Sequence, residues 1–222
     1  MLSCRSRRNT GALTPETSLY GPLETLLTFA GAELHPVVHT FMSLKNRAGT
    51  MPDGGMFTAD QIGEDAVEAP KGAVPKHGVV ECKPPSEEVL KIADSAQVLK
   101  YWDKYNQVLV TNYREFLLLG RDGAGNRVRY EHYRLVRTEA EFWTTDATEL
   151  AASLGDEFLY FFRRCLLRPA PITDPESVAW FLASYVREAR GRIARASSVP
   201  ALESVRRALE QALVGHLLWA WP

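Results

Sequence analysis

The run Gly78-Val79-Val80-Glu81-Cys82-Lys83, closed by Pro84-Pro85, constrains the fold of this chain more than any other stretch. Its β-branched residues read as a strand, and two prolines end it because proline cannot donate to a sheet ladder. Side chains two apart on a strand share a face, so Glu81 and Lys83 project together while Val80 and Cys82 point the other way. The apolar pair anchors the strand; the charged pair is presented elsewhere.

Around this strand the spacing predicts a mixed α/β architecture over the first 137 residues. Thr14-Pro15-Glu16 offers an N-cap, a proline at the first helical position and an acid in the first turn, with Gly31 as a stop. A helix is therefore expected over 15–30, with Leu19, Leu23, Leu26, Leu27 and Ala30 as its buried stripe. Strands are expected over 36–44 and 52–58, joined by a turn at 46–50, and Gly54 and Gly55 in the second leave room for another backbone or a ligand. Residues 60–77 lack an apolar period and read as an exposed loop. A helical region over 86–105, capped by Ser86, breaks at Asp94-Ser95, and strands follow over 108–111, 115–119 and 127–134 with a hairpin turn at 121–126. Beyond Thr138 the pattern changes to amphipathic helices over 147–167, 175–195 and 200–217. This divides the chain into a core over 1–137 and a helical extension or connector over 138–222.

The composition excludes several classes. Hydrophobic residues at 45% and charged residues at 24% describe a globular chain rather than a disordered one. A formal net charge of -1 opposes a surface that grips nucleic acid everywhere, so any such face must be local. Cys4, Cys82 and Cys165 are odd in number and widely spaced, which suggests neither a disulfide framework nor a zinc site and fits a reducing cytoplasm. The apolar stretches are too short and too interrupted by charge for a membrane span, and no apolar core follows the basic residues at the start to make a secretory signal.

Glu81 and Lys83 alone could be a surface ion pair of small energetic value. Asp53 changes that reading. An Asp at the start of one strand and a Glu-x-Lys on its neighbour can converge two carboxylates on one point, where Mg²⁺ typically takes one or two carboxylates, waters and a substrate phosphate. The Cys82 carbonyl is an additional candidate ligand, and Lys83 is placed to orient or deprotonate an attacking water.

Pro52-Asp53, Glu81-Cys82-Lys83 and Gln97-x-x-x-Tyr101 together resemble the signature of the PD-(D/E)xK nucleases. Thr14 to Ser18, Leu44 to Arg47, Pro52 to Phe57 and Leu109 to Phe116 are similar to the N-terminal nuclease regions of single-chain restriction-modification proteins of the type ISP kind. The likeness covers roughly residues 10–135. It implies a restriction-endonuclease-like mixed sheet flanked by helices, and a metal-dependent DNA endonuclease of a restriction or phage-defence system. It implies a site of Asp53, Glu81, Lys83, Gln97 and Tyr101, with Mg²⁺ as cofactor and Mn²⁺ as substitute. Glu24, with Glu16 as an equal rival, matches an acid that such nucleases carry on the first helix to complete the metal site. Double-stranded DNA is the implied substrate, and a double-strand cut from one site per chain calls for a transient dimer. No Asn-Pro-Pro-Tyr or G-x-x-x-x-G-K-[ST] motif is present, so methylation and translocation would fall to a methyltransferase or helicase partner.

Other residues carry less. His35 and His39 are separated by Pro36, which opposes a helical ligand pair. Arg114, Arg121, Arg127, Arg129, Arg134 and Arg137 could track a DNA backbone, or could equally line a solvated sheet. The alternative to catalysis is a noncatalytic DNA-binding or scaffolding module that docks a partner through Trp180, Phe181, Leu217, Leu218, Trp219 and Trp221.

Overall fold

The structure, a computed structural model, describes residues 16–44, 51–63, 66–69, 74–168 and 175–195. Its centre is a six-stranded mixed sheet in simple sequence order. The strands are β1 (Val38–Met42), β2 (Gly54–Thr58), β3 (Val79–Cys82), β4 (Val108–Thr111), β5 (Glu115–Arg121) and β6 (Arg127–Arg134). Every neighbouring pair is antiparallel except β3 and β4, which run parallel. A parallel pair needs a crossover, and two helices supply it: α3 (Val89–Ala93) and α4 (Ala96–Tyr105).

Alternation along the central strands feeds two separate cores. Val80, Cys82, Leu109, Phe116 and Leu118 pack with α1 (Tyr20–Ala32) and α6 (Ala147–Leu167). Val79, Val108, Val110, Leu117 and Leu119 face the other way, onto α3 and α4. With both faces covered, β3 and β4 are buried along their whole length.

A 3-10 turn over Glu16–Leu19 precedes α1, which runs through Gly31 rather than stopping there. A Cβ on Gly31 would collide with the carbonyl oxygen of Val38, so this glycine admits β1 against the helix. The expected cap, Thr14-Pro15, lies outside the described residues, as do the 46–50 turn, the 200–217 helix and the side chains of Trp180 and Phe181. The room at Gly54 and Gly55 is filled by Met42, Leu44 and Pro75 of the chain itself, not left for a ligand.

The stretch expected to be a loop over 60–77 begins with a short helix, α2 (Ala59–Ile62). Gln61 holds it by accepting from the Thr58 and Lys76 amides and donating to the Val74 carbonyl. The break at Asp94-Ser95 is present, with Ser95 Oγ accepting from the Val98 amide at 3.3 Å and Asn106 closing α4 in the left-handed region. Ser86 does not cap α3, whose N-cap position is Glu88. A further helix, α5 (Glu139–Thr144), was missed because its six residues are too few to show a period; Thr138 caps it.

The first compact unit spans residues 1–181 and the second 182–222, so α5 and α6 belong with the sheet. Helix α6 supplies Phe158, Phe161 and Phe162 to the larger core, and Phe116 meets Phe162 edge-on at 5.2 Å between ring centres. Helix α7 spans Pro175–Arg195. Among the described residues no helix is long and apolar enough to cross a membrane.

The last turn of α6 is clamped to the segment before β3. The His77 ring donates from Nε2 to the Leu166 carbonyl, and Gln107 Nε2 donates to the carbonyls of His77 at 3.1 Å and Cys165 at 3.5 Å. Burial holds the His77 imidazole below its ordinary value of 6.5, outweighing the Leu166 hydrogen bond and the Asp60 charge that push it up.

Two stability measurements follow from this packing. Phe162 is fully buried, so Phe162→Ala is expected to cost about 3–5 kcal/mol in urea unfolding. The folded protein resists a proton on His77 that the unfolded chain accepts. Stability is therefore full above pH 6.5 and falls as the pH drops from there towards the lowered folded value. The urea midpoint is expected to decline over that window in the wild type and to decline less in His77→Gln.

Candidate active site

The site lies where β2 parts from β3. The ladder between them holds only two pairs, Gly54 with Val80 and Gly55 with Val79. Asp53 lies one residue outside that ladder, just before β2. Strand β4 takes the next backbone donor of β3, since the Lys83 amide donates to the Thr111 carbonyl at 2.9 Å. Alternation then turns the amide and carbonyl of Cys82 towards β2. There the Asp53 carboxylate replaces the missing ladder partner, with Oδ2 accepting from the Cys82 amide at 2.8 Å. Oδ1 accepts from the Tyr20 hydroxyl of α1 at 2.6 Å.

Glu81 shares the face of Val79, towards α3 and α4, and its side chain is 1% exposed. Lys83 Nζ meets its Oε1 at 2.6 Å, and the Lys83 side chain is 28% exposed, so a partly exposed lysine pairs with a buried carboxylate. On α4, Gln97 Nε2 donates to the Tyr101 hydroxyl at 3.0 Å. Burial pushes the Tyr101 phenol above its ordinary value, and the charges of Glu81 and Asp53 push it further; Gln97 and Lys83 oppose them. These contacts thus form two groups, Asp53 on the Cys82 amide beside the Glu81–Lys83 pair, and Gln97 on Tyr101, a phenol on which the charges of Asp53, Glu81 and Lys83 all act. Tyr101 is also a core residue, packed against Tyr105, and Trp102 donates its indole N–H to the Gly120 carbonyl at 2.9 Å. The catalytic and the core readings of Tyr101 are therefore compatible.

Glu24 stands one turn after Tyr20 on the same face of α1, but its Oε2 accepts from the Met42 amide at 2.5 Å. Among the described residues no group of three or more His, Cys, Asp or Glu side chains is gathered to hold a metal ion. A cation here would rest on two carboxylates, Asp53 and Glu81, with the Cys82 carbonyl on the same side. These are all hard oxygen donors, the set that suits Mg²⁺ or Mn²⁺ and leaves most of the octahedron to water and phosphate. The Cys82 thiol is no part of it, being fully buried in the opposite core. Each oxygen of Asp53 accepts one hydrogen bond and retains a further lone pair. The residues present fit the cation on these grounds.

The segment after Lys83 is pinned by residues that resemblance alone could not assign. Asn112 Nδ2 donates to the Glu87 carbonyl at 2.7 Å, and its Oδ1 accepts from the amides of Arg114 and Glu115. Thr111 Oγ1 donates to the Glu115 carbonyl and accepts from the Tyr113 amide, which lets Tyr113 sit at a φ of 64°. The buried Arg114 donates to the carbonyls of Pro85, Glu87 and Arg137. Thr111, Asn112 and Arg114 are thus scaffolding for the end of β3.

Five of the six arginines singled out from the sequence meet partners within the protein, Arg114 at the carbonyls just named. Arg127 and Arg129 share Asp94 at 2.8 and 3.0 Å, Arg134 meets Glu115 at 3.0 Å, and Arg121 stacks 3.9 Å over Trp102. The Tyr20 hydroxyl meets Asp53 across 33 residues of sequence, a separation that no motif spacing displays.

No family of proteins, no curated protein and no solved structure matches this chain.

Replacing Asp53 by Ala leaves the Cys82 amide without its carboxylate. Asp53→Ala is expected to lower stability by about 1–3 kcal/mol while preserving the circular dichroism of the fold, read by thermal and urea unfolding.

Proposed function

We propose that this chain is a metal-dependent DNA endonuclease of the PD-(D/E)xK type, with a restriction-endonuclease-like sheet and a place in restriction-modification or phage defence. The observation that carries the reading is the docking of the Asp53 carboxylate on the Cys82 amide, between Glu81 and Lys83 in sequence, beside the buried Glu81–Lys83 pair at the end of β3. Asp53 and Glu81, with the Cys82 carbonyl, would hold Mg²⁺ or Mn²⁺. The bound cation supplies charge neutralisation at the scissile phosphate and a more acidic water. Lys83, held by Glu81 and with a partly exposed side chain, would orient the attacking water. Gln97 is exposed on α4 and can donate to a phosphate oxygen, while Tyr101 keeps its proton and serves as a hydrogen-bond donor. Double-stranded DNA is the substrate of this reading, with a methyltransferase or helicase partner and a transient dimer as its remaining elements.

Burial of Glu81 supports chemistry over scaffolding. A buried ion pair is often no more stable than apolar residues of the same volume, so the fold alone gives no reason for a carboxylate at that position.

The test is cleavage of unmethylated supercoiled and linear DNA with Mg²⁺ or Mn²⁺, comparing wild type with Lys83→Ala and Asp53→Ala at matched purity. Metal-dependent cutting reduced about 10²-fold or more in both variants is expected. Equal cutting by all three proteins would mean a contaminating nuclease, and no cutting by any would favour the noncatalytic module.

A further inference from the structure

We infer that Tyr20 is a positioning residue for Asp53, holding that carboxylate in the orientation in which it meets a divalent cation; the inference rests on the nuclease reading of the same site. Tyr20 lies on α1, is 8% exposed and packs in the core shared with α6, so its ring has a fixed place. From there its hydroxyl reaches Asp53 Oδ1 at 2.6 Å, while the Cys82 amide takes Oδ2 at 2.8 Å. One donor on each oxygen stops the carboxylate from rotating and selects which lone pairs remain open.

The two donors differ in origin. The Cys82 amide belongs to β3, the strand that also carries Glu81, whereas Tyr20 approaches from the helix on the opposite face of the sheet. Asp53 is therefore set against Glu81 by one contact and against the helix layer by the other. Helix α1 is itself fixed one turn further on, where Glu24 accepts from the Met42 amide and Met42 pairs with Gly54, the residue after Asp53. A hydroxyl anchored in this way restrains Asp53 from behind, which is the kind of support that metal ligands need from the residues around them.

A purely structural hydrogen bond would lower stability and leave cation affinity alone. A hydroxyl competing for Oδ1 would weaken affinity, and its removal would tighten binding. Positioning predicts the opposite: removing the hydroxyl weakens binding while the fold persists.

The experiment titrates Mn²⁺ by calorimetry into the full 222-residue chain as wild type, Tyr20→Phe, Asp53→Asn and Leu23→Ala, with thermal unfolding of each recorded without metal. Tyr20→Phe keeps the ring and its packing. Leu23→Ala empties a buried position on the same helix without touching Asp53, and so controls for lost stability. Expected are Mn²⁺ binding by the wild type that vanishes in Asp53→Asn, affinity about tenfold or more weaker in Tyr20→Phe, and wild-type affinity in Leu23→Ala. Unchanged or tighter binding by Tyr20→Phe, or an equal loss in Leu23→Ala, overturns the positioning role and leaves the nuclease site standing. A wild type with no Asp53-dependent Mn²⁺ binding sinks both.

Discussion

Parallel pairing of β3 with β4, buried on both faces, is the constraint on which the rest of this molecule depends. A parallel neighbour cannot be reached by a tight turn, so the chain must leave the sheet after Lys83 and return at Val108. That detour is α3 and α4, and it lays Gln97 and Tyr101 over the face from which Glu81 projects. The antiparallel arrival of β2 on the other side of β3 brings Asp53 to the same end. The site is thus a product of topology: one strand end, one neighbour on each side, and a crossover helix above it.

Strand ends also raise a problem of polar accounting, because buried backbone groups must find partners where the ladder stops. Here side chains provide them. Asp53 takes the Cys82 amide, Glu24 takes the Met42 amide, Asn112 closes the β4–β5 turn, and Arg114 takes three carbonyls around it. Each of these residues would hold its place in a protein with no catalytic function at all. Glu81 is different. It sits in a strand whose backbone is already paired with β4, and its near-total burial costs desolvation that its ion pair with Lys83 helps to offset. Departures from what folding requires concentrate at functional sites, and Glu81 is such a departure.

Much of this was legible in the sequence, and the exceptions share a cause. All six strands, the break before Ser95 and the long helices over 147–167 and 175–195 were readable because alternation, capping residues and prolines are local signals. The co-facing of Glu81 and Lys83 followed from the strand period alone. What could not be read was distance-dependent: that Gly31 makes room for β1 rather than ending a helix, that Ser86 leaves the N-cap position to Glu88, and that Tyr20 and Asp53 meet. The helices α2 and α5 were hidden for another reason, since four and six residues are too few to display a 3.6-residue period.

The arginines show how a sequence pattern and a surface can diverge. Their clustering near β5 and β6 suggested a track for a phosphate backbone, yet Arg114 is buried under carbonyls, Arg127 and Arg129 converge on Asp94, and Arg134 is drawn to Glu115. An arginine already paired with a carboxylate must exchange that partner for a phosphate, so it contributes little new charge neutralisation to DNA binding. With a net charge of -1 as well, the proposed nuclease would bind nonspecific DNA weakly by itself. On that proposal the module would need its DNA delivered, and a partner that recognises or moves along DNA would meet that need more directly than a basic surface of its own.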